Sequence, residues 1–318
     1  MSRADLLGTN PELAIDHIRA RSRKNARTAH DGRKLALIVE GGAMRGVFSS
    51  GANTALEKIG LTSAFDEVYS CSAGAINAAY FLAGQAAYGT TIYYEDINNR
   101  NFINPLRVNN ILNLDFLFKT IISERKPLDV DRVLASPSRL FISITDAKTG
   151  SGFLIEGQNS AFPLLDCLRA SATHPLLSER IMHLGDRACF DGGFANSLPV
   201  EDAIDNGCTD LLVVLTRPKE YIDTPHGFLI SEWFRWKCAL GNAQLVKAGR
   251  EIHIRENRSR DVAFGRRAPP PGINIATICP EEEGSEVTRT TKNTELLKAA
   301  ASEGERKVLR AFDIVARA

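Results

Sequence analysis

Residues 68–75 read Val-Tyr-Ser-Cys-Ser-Ala-Gly-Ala, and this stretch decides how the rest of the chain is interpreted. Its first half is typical of a buried strand, and the long apolar run over 75–87 predicts a buried helix. A serine at such a sharp strand-to-helix turn exposes its hydroxyl at the carboxyl end of a sheet, and its neighbours two places away must be small. Ser72 is therefore the candidate nucleophile, with Ser70 and Gly74 as the small elbow residues. The helix N-terminus favours negative charge beside that serine.

This elbow leaves a second interpretation open. The usual motif has glycine at the first small position, where this chain has Ser70, so the pattern is met only in part. A tight strand-to-helix turn that does no chemistry would look the same. Because side chains alternate along a strand, Cys71 is expected to point the other way and to serve in packing.

A second strand–turn–helix unit precedes the first. The apolar run 35–39 predicts a buried parallel strand, residues 40–46 form the turn Glu-Gly-Gly-Ala-Met-Arg-Gly, and 47–59 predicts a helix. Such a turn can hold a phosphate, but its glycine spacing departs from the dinucleotide fingerprint, and a Walker loop would need Gly-Lys-Ser/Thr. The alternative is a turn that aims N–H groups at an oxyanion, which also explains the adjacent Arg45.

Two successive units of this kind are typical of the beginning of a doubly wound α/β sheet. We find no internal repeat and no linker, so we predict one domain over 35–318, preceded by a basic extension over 1–34. We expect that extension to be solvated and partly mobile, with contact to acidic lipid or a partner as the alternative. Further strands are predicted at 139–145, 152–156, 189–190, 211–216 and 273–279, and further helices at 161–172, 228–256 and 293–317.

A third motif, Asp-Gly-Gly, follows a short strand at 191–193. Alone it would be an ordinary turn. Its significance comes from the order of the motifs, because a glycine-rich turn and a serine elbow precede it along the chain.

These three motifs together resemble the patatin-like phospholipase family of lipid acyl hydrolases, and the Glu-Gly-Gly opening looks most like a bacterial branch. The resemblance covers roughly residues 35–215 and includes the run Leu-Arg-Ala-Ser-Ala-Thr-His-Pro at 168–175, with Asn196 and Pro199 after the third motif. It implies a three-layer fold with a central, mostly parallel sheet flanked by helices, and a Ser–Asp dyad that works without a cofactor.

Site residues carry over from the family position by position. The resemblance implies Ser72 as nucleophile and Asp191 as its proton acceptor, in a loop that continues with Gly192 and Gly193. The implied oxyanion hole is the turn Gly41, Gly42, Ala43, Met44, Arg45 and Gly46. The chain departs from the family where Ala43 and Ser70 replace glycines, and Ala43 leaves a hole of N–H groups intact provided that its φ is negative.

A dyad is chemically sufficient, because a carboxylate in a dry site can take the serine proton directly once its proton affinity rises. A Ser-His-Asp triad stays open, since His226 and His253 come late in the chain, as an α/β-hydrolase histidine would. We expect His174 to be a loop histidine near the site. The full set of histidines is 17, 30, 174, 183, 226 and 253.

The function expected from these residues is hydrolysis of lipid carboxylic esters, of the phospholipase A or lysophospholipase type, through an acyl-enzyme. Two alternatives remain. One is a non-catalytic module that uses the same turn to bind a lipid or a nucleotide, and the other is a small-ester esterase or thioesterase of the same mechanism.

The amino-acid composition limits which kinds of partner, location and metal site are expected. The 318 residues contain 39 Lys and Arg against 38 Asp and Glu, so a net charge of +1 gives no field that attracts nucleic acid. The six cysteines lack CxxC spacing, and no apolar export signal begins the chain, so we expect free thiols and a cytoplasmic location. No metal is expected, because the pair Asp129 and Asp131 is better explained as a solvated helix start.

Membrane contact is expected to be peripheral if it occurs. The apolar run 75–87 is shorter than the roughly 18 residues that a spanning helix needs. The predicted helix 228–256 combines Trp233, Phe234 and Trp236 with a basic second half. Such aromatics usually belong to a core, although an aromatic-basic face can also rest on lipid.

Overall fold

A computed structural model describes residues 6–22, 32–107, 110–179, 181–225, 242–281 and 287–313. Its centre is an eight-stranded sheet in which β3, β2, β1, β7 and β8 run parallel in that order. Three antiparallel strands complete it, since β4 and β6 pair with β3, and β5 pairs with β6. The strands are β1 (Leu35–Val39), β2 (Glu67–Cys71), β3 (Arg139–Asp146), β4 (Gly152–Glu156), β5 (Met182–Leu184), β6 (Arg187–Asp191), β7 (Asp210–Val214) and β8 (Asn274–Ile278).

Helices cover both faces of the sheet. The α-helices are α1 (Pro11–Ser22), α2 (Gly46–Lys58), α3 (Ala73–Leu82), α4 (Ala86–Thr91), α5 (Val130–Leu134), α6 (Leu164–Ala172), α7 (Gly193–Asn196), α8 (Val200–Asp205), α9 (Ala243–Arg250), α10 (Ile252–Ala263) and α11 (Thr294–Ala311). Two π-helical segments also occur, at Ile92–Asp96 and Phe116–Arg125.

The sheet is buried on both faces, which is why β1 reads as a continuous apolar run. Leu35, Leu37 and Val39 belong to the larger core beneath α2, α3 and α11, whereas Ala36 and Ile38 belong to the core beneath α8 and α10. Adjacent residues of a strand point to opposite faces, so an uninterrupted apolar strand requires cover on both. The predicted α/β fold with helices flanking a mostly parallel sheet is confirmed.

The N-terminal segment does not behave as the solvated arm that the sequence suggested. In α1, Ile15 and Ile18 are 1% and 0% exposed and join the larger core. His17 bonds to Asp210 at 2.6 Å, at the amino end of β7. The expectation of a solvated extension is therefore wrong for α1, because its apolar stripe packs on the sheet. The boundary between an extension and a domain at residue 34 stays a prediction.

The C-terminal helix α11 packs directly against α2. A Cβ on Gly51 would lie 2.0 Å from the carbonyl oxygen of Ala301, and one on Gly304 would lie 2.2 Å from that of Phe48. Glycine at both positions lets the two helix backbones approach closely. This contact fixes α2, whose first residue ends the glycine-rich turn.

The predicted strands agree with the structure. Only β5 was not predicted, because a strand of three residues is too short to show a pattern in the sequence. The single helix expected at 228–256 is wrong in its described part, where α9 and α10 are separated at Glu251 and the second helix continues to Ala263. Trp233, Phe234 and Trp236 lie outside the described residues.

No helix among the residues described has both the length and the apolar character that crossing a bilayer requires.

Candidate active site

The serine elbow connects β2 to α3 at the carboxyl end of the sheet. Ser72 adopts φ 54° and ψ −129°, a conformation that non-glycine residues rarely occupy and that is typical of strained functional turns. A Cβ on Gly74 would lie 2.4 Å from the carbonyl oxygen of Val39, so only glycine fits there. Ser70 is fully buried, and its hydroxyl donates to the carbonyl of Phe141 at 3.4 Å. Serine is thus accommodated at the position where the usual elbow has glycine.

Ser72 and Asp191 meet although 119 positions separate them in the chain. The hydroxyl Oγ of Ser72 donates to Oδ2 of Asp191 at 2.9 Å. Asp191 ends β6, where its backbone N–H donates to the carbonyl of Thr173 at 2.8 Å and its own carbonyl accepts from the Thr145 hydroxyl at 2.8 Å. The carboxylate is therefore positioned by the sheet and by the end of α6.

The surroundings of Asp191 raise its proton affinity. The side chain is 6% exposed, and burial raises its pKa above the ordinary range of an aspartate. The Gly193 N–H at 2.7 Å, the Ser72 hydroxyl and the charge of Arg289 act in the opposite direction and lower the pKa. The net result is a carboxylate with a higher proton affinity than one in water.

Cys71 is nearer to this site than a packing residue would be. Its Sγ lies 3.7 Å from Oδ1 of Asp191, and burial together with that carboxylate raises the pKa of the thiol well above its ordinary value. The thiol is thus held neutral and acts as a weak donor to Asp191. The expectation that Cys71 only packs is corrected on this point, although its side chain is buried as expected.

Ser171 was overlooked as a functional residue. Its hydroxyl accepts from the Ser72 backbone N–H at 2.8 Å and donates to the carbonyl of Ser143 at 2.7 Å, so it ties the elbow to β3. The run 168–175 that carries the family resemblance contains it, and that was the signal that could have identified it. Gly192 packs tightly against the same strand, β3, since a Cβ there would lie 2.1 Å from the Ser143 carbonyl oxygen.

The glycine-rich turn lies against the elbow. A Cβ on Gly41 would lie 2.4 Å from the carbonyl oxygen of Cys71 and 3.1 Å from the Cβ of Ser72. Gly42 and Ala43 have φ values of +136° and +52°. The expected negative φ of Ala43 is therefore wrong, and the alanine adopts the left-handed conformation that favours glycine. Its N–H still has no acceptor among the described residues, so the positive φ does not remove it from the hole.

The N–H groups of the turn divide into two sets. Those of Met44, Arg45 and Gly46 donate to carbonyl oxygens of the turn itself or of a neighbouring loop. Those of Gly41, Gly42 and Ala43 have no acceptor in the part of the chain that the structure describes, and all three residues line the cavity. Gly42 and Ala43 are only half-buried, so their N–H groups are the part of the turn most accessible to an anion in the cavity.

Arg45 folds back over the same turn. A Cβ on Gly42 would lie 2.9 Å from Nε of Arg45 and 3.0 Å from its Nη2. Nε is buried and has no hydrogen-bond partner in the described residues. Burial, with the charges of Arg289 and Arg217, lowers the pKa of Arg45 to about 9, so the guanidinium is still charged at neutral pH. The turn therefore combines free N–H groups with an unneutralised positive charge.

Ser72 and Asp191 face a cavity of about 480 Å³. One wall is apolar and includes both π-helical segments, with the residues Ile76, Tyr80, Ile92, Tyr93, Ile97, Phe102, Leu112, Leu114, Leu117, Leu176 and Leu177. The other end is charged. An apolar chamber beside a polar end suits an amphipathic ligand.

No histidine nitrogen lies within hydrogen-bond reach of the Ser72 hydroxyl in the described parts of the chain. His174 lines the cavity as expected, with its Nδ1 accepting from the Leu176 N–H at 3.2 Å. His183 lies on β5 and His253 at the start of α10. His30 and His226 lie outside the described residues.

Asp129 caps α5 by accepting from the Arg132 N–H at 3.0 Å, as the helix-start interpretation expected. Within the described ranges, no group of three His, Cys, Asp or Glu side chains could hold a metal ion.

Comparisons with known proteins place these features in context. The sequence model of the family described as "Patatin-like phospholipase" matches residues 37–204, about half of the chain. A similar curated protein, the "Uncharacterized protein YjjU" of Escherichia coli (strain K12), is 29% identical over 255 residues, which cover 78% of this chain and 68% of that protein. A similar solved structure is VipD from Legionella pneumophila, with a TM-score of 0.50 and 12% identity over 88% of this chain and 67% of VipD. At that identity the likeness to VipD shows the fold alone.

Proposed function

The chain belongs to the patatin-like phospholipase family, and we propose that it is a serine acyl hydrolase of the phospholipase A or lysophospholipase type. Membership suggests lipid acyl hydrolase activity and a lipid substrate. The observation that carries the finer proposal is the 2.9 Å hydrogen bond from Ser72 Oγ to Asp191 Oδ2 at the wall of an amphipathic cavity.

In the first step Ser72 attacks the ester carbonyl while Asp191 takes the hydroxyl proton. The carbonyl oxygen becomes an oxyanion, which the free N–H groups of Gly42 and Ala43 stabilise. Collapse of this intermediate breaks the ester bond, and Asp191 returns the proton to the departing alkoxide. Water then attacks the acyl-enzyme, with Asp191 again as the base, and releases the fatty acid and the free Ser72 hydroxyl.

The environment supports these roles. A serine hydroxyl becomes a useful nucleophile only when a neighbouring group takes its proton. The raised pKa of Asp191 makes it a stronger base than an exposed aspartate. The positive charge of Arg45 beside Gly42 adds to the field at the oxyanion. The apolar wall accommodates an acyl chain, and no organic cofactor or metal is required by this sequence of steps.

The pH dependence should report Asp191 directly. Burial raises the pKa of Asp191, so it takes up a proton at a higher pH than the value of about 3.9 of an ordinary aspartate. Only the carboxylate accepts the Ser72 proton, so we expect turnover of a short-chain ester to be lost as pH falls through this raised pKa. Because the charge of Arg289 lowers the pKa of Asp191, Arg289→Gln should move the acidic limb of the pH–rate profile to higher pH. A limb that stays in the same place in Arg289→Gln would argue against Asp191 as the titrating base.

Removal of the Arg45 guanidinium should lower turnover more than it weakens substrate binding. Its charge acts on an oxyanion that exists only in the transition state and intermediate. Because Arg45 supplies a nearby charge rather than a direct N–H donor, we expect less than the roughly 2.7–4 kcal/mol that one such donor contributes. Steady-state kinetics of Arg45→Ala, with the exposed Arg266→Ala as control, measures this. A rise in KM alone, with unchanged kcat, would contradict the assignment.

Substrate class is tested with a panel of phospholipids, lysophospholipids, simple esters and thioesters, scored by product mass. Release of fatty acid from the lipids supports the proposal, and turnover of simple esters or thioesters alone favours the small-ester alternative. A chain that binds lipid or nucleotide without releasing any product would be the non-catalytic module.

We also propose that the enzyme is cytoplasmic and contacts membranes peripherally at the cavity mouth. Ile222 and Ile254 are 65% and 58% exposed. Ile222 stands between the cavity-lining residues Tyr221 and Asp223, whereas Ile254 lies on α10 two residues from the cavity-lining Ile252. The exposed Ile222 beside the lining of a lipid cavity supports insertion into the bilayer surface there.

A further inference from the structure

The charged end of the cavity carries both signs without pairing them. Its guanidinium groups belong to Arg45, Arg217, Arg250 and Arg289, and its carboxyl groups, apart from that of Asp191, to Glu40, Asp223 and Glu256. Among the described residues, no salt bridge within 4.0 Å joins any of these guanidinium groups to any of these carboxyl groups; the one ion pair of Glu40 is with Arg260, at 3.6 Å. Glu40, Arg45, Arg217, Asp223, Glu256 and Arg289 are only half-buried, so a ligand in the cavity can reach charges of both signs.

The positive side centres on Arg217 and Arg289. The guanidinium of Arg217 stacks on the ring of Tyr221, 3.7 Å from its centroid, which fixes its position. Arg289 lines the cavity next to the oxyanion turn, since its backbone carbonyl accepts from the Met44 N–H at 3.5 Å, and its charge lowers the pKa values of Asp191 and Glu256. With Arg45 committed to the oxyanion turn, these two arginines are available to an anionic group of the substrate.

The negative side is a pair of carboxyl groups, Asp223 and Glu256. The Asp223 backbone is fixed to α10 by two hydrogen bonds with the Asn257 side chain, one from its N–H and one to its carbonyl, both 2.8 Å. Its carboxylate accepts from the Tyr221 hydroxyl at 2.7 Å. Glu256 precedes Asn257, and burial together with Asp223 and Glu40 raises its pKa to about 7. Both carboxyl groups line the cavity, and neither forms a salt bridge in the described part of the chain, which leaves the pair open to a cation.

Tyr221 separates the two sides. Arg217 covers the face of its ring, whereas Asp223 binds the hydroxyl at its tip. A ligand that reaches Tyr221 therefore meets a guanidinium group at the face of the ring and a carboxylate at its hydroxyl. That arrangement fits a zwitterion whose two charges are a short distance apart.

We propose that the charged end of the cavity binds the head group of a phospholipid with a primary ammonium, with Arg217 and Arg289 holding its phosphate and the Asp223–Glu256 pair holding its ammonium. The inference rests on the proposed function, because the ester of such a lipid is what Ser72 attacks. Guanidinium groups match phosphate oxygens in geometry and charge. An ammonium with three N–H donors suits carboxyl oxygens.

The same geometry selects against other head groups. A quaternary ammonium has no N–H to donate and is usually recognised by aromatic faces, whereas the ring of Tyr221 already lies against the guanidinium groups of Arg217 and Arg260. A glycerol head group would leave Asp223 and Glu256 without a cation. Phosphatidylethanolamine is thus the lipid class that satisfies both sides.

The experiment compares phosphatidylethanolamine, phosphatidylcholine and phosphatidylglycerol with identical acyl chains in mixed micelles of a non-ionic detergent. We expect kcat/KM for the ethanolamine lipid to exceed the other two by about tenfold or more, the effect of one charge-assisted hydrogen bond. In Glu256→Gln the ratio of ethanolamine to glycerol lipid should fall to near one. The matched control is Glu220→Gln, an exposed carboxylate that does not line the cavity, and it should keep the wild-type ratio.

Two results would overturn the proposal. One is a wild-type enzyme with no preference for the ethanolamine lipid, and the other is a preference that survives in Glu256→Gln. Thermal melting checks that Glu256→Gln is folded, and Asp223→Asn serves as the second variant if it is not.

A binding measurement separates this inference from the proposed function. Calorimetry with Ser72→Ala compares lysophosphatidylethanolamine, lysophosphatidylglycerol and inorganic phosphate below the lipids' micelle concentrations. Preferential binding of the ethanolamine lipid supports the head-group site even if the wild-type chain hydrolyses no ester, in which case the proposed function alone fails. Equal binding of the two lysolipids, or binding of phosphate alone, overturns the ammonium site.

Discussion

Ser72→Ala should lose essentially all ester hydrolysis, by a factor on the order of 10⁴ or more, while the protein stays folded. The substitution removes the attacking oxygen and leaves the backbone contacts of the elbow. The Ser72 N–H still donates to Ser171, and the strained φ of 54° is as accessible to alanine as to serine. Burial already disfavours the charge on Asp191, so that carboxyl can take up a proton when its partner is lost.

Initial rates on a chromogenic ester and a lipid ester measure the loss, and circular dichroism with thermal melting checks the fold. The control is Ser151→Ala at an exposed serine between β3 and β4, which should keep wild-type rates. If Ser72→Ala retains more than a few per cent of the activity, the nucleophile lies elsewhere.

Asp191→Asn should abolish acylation, because an amide cannot accept the Ser72 proton. The amide oxygen can still accept from the Gly193 N–H, so the loop keeps one of its contacts and the fold should survive. In a triad, by contrast, an aspartate only orients and stabilises a histidine, and its amide leaves an impaired but working serine–histidine pair. The two mechanisms therefore predict different outcomes for the same substitution.

Single-turnover acylation by a chromogenic ester makes this comparison, with alanine variants of His174, His183, His226 and His253 tested separately. The dyad predicts that all four histidine variants still acylate. A histidine variant as inactive as Ser72→Ala, with its fold intact, would establish a triad in place of the dyad.

Much of the fold follows from local sequence patterns. Continuous apolar runs marked β1 and β7, because strands covered on both faces have no solvent side. The sequence of β2 is more polar, and this strand was predicted together with the serine turn that follows it. Helix α1 was underestimated for a related reason. Its stripe of Ile15 and Ile18 is short and surrounded by charge, and only the sheet beneath it makes that stripe part of the core.

The site was harder to derive in detail. The order of the motifs suggested Ser72 and Asp191 as partners, but no local pattern carries a distance across 119 positions. The positive φ of Ala43 and the approach of Cys71 to Asp191 depend on how two loops meet, which residue spacing does not encode. Asp223 and Glu256 lie on segments without a motif, so their pairing became visible only in three dimensions.

The most direct test of the Ser72–Asp191 assignment is the site of covalent modification by a fluorophosphonate, read by mass spectrometry of the digested protein. Only an activated serine attacks this phosphorus centre at an appreciable rate. We expect a single adduct on Ser72 in the wild-type chain and none in Asp191→Asn under the same conditions. An unmodified wild-type chain, an adduct on a different serine, or full labelling of Ser72 in Asp191→Asn would contradict it.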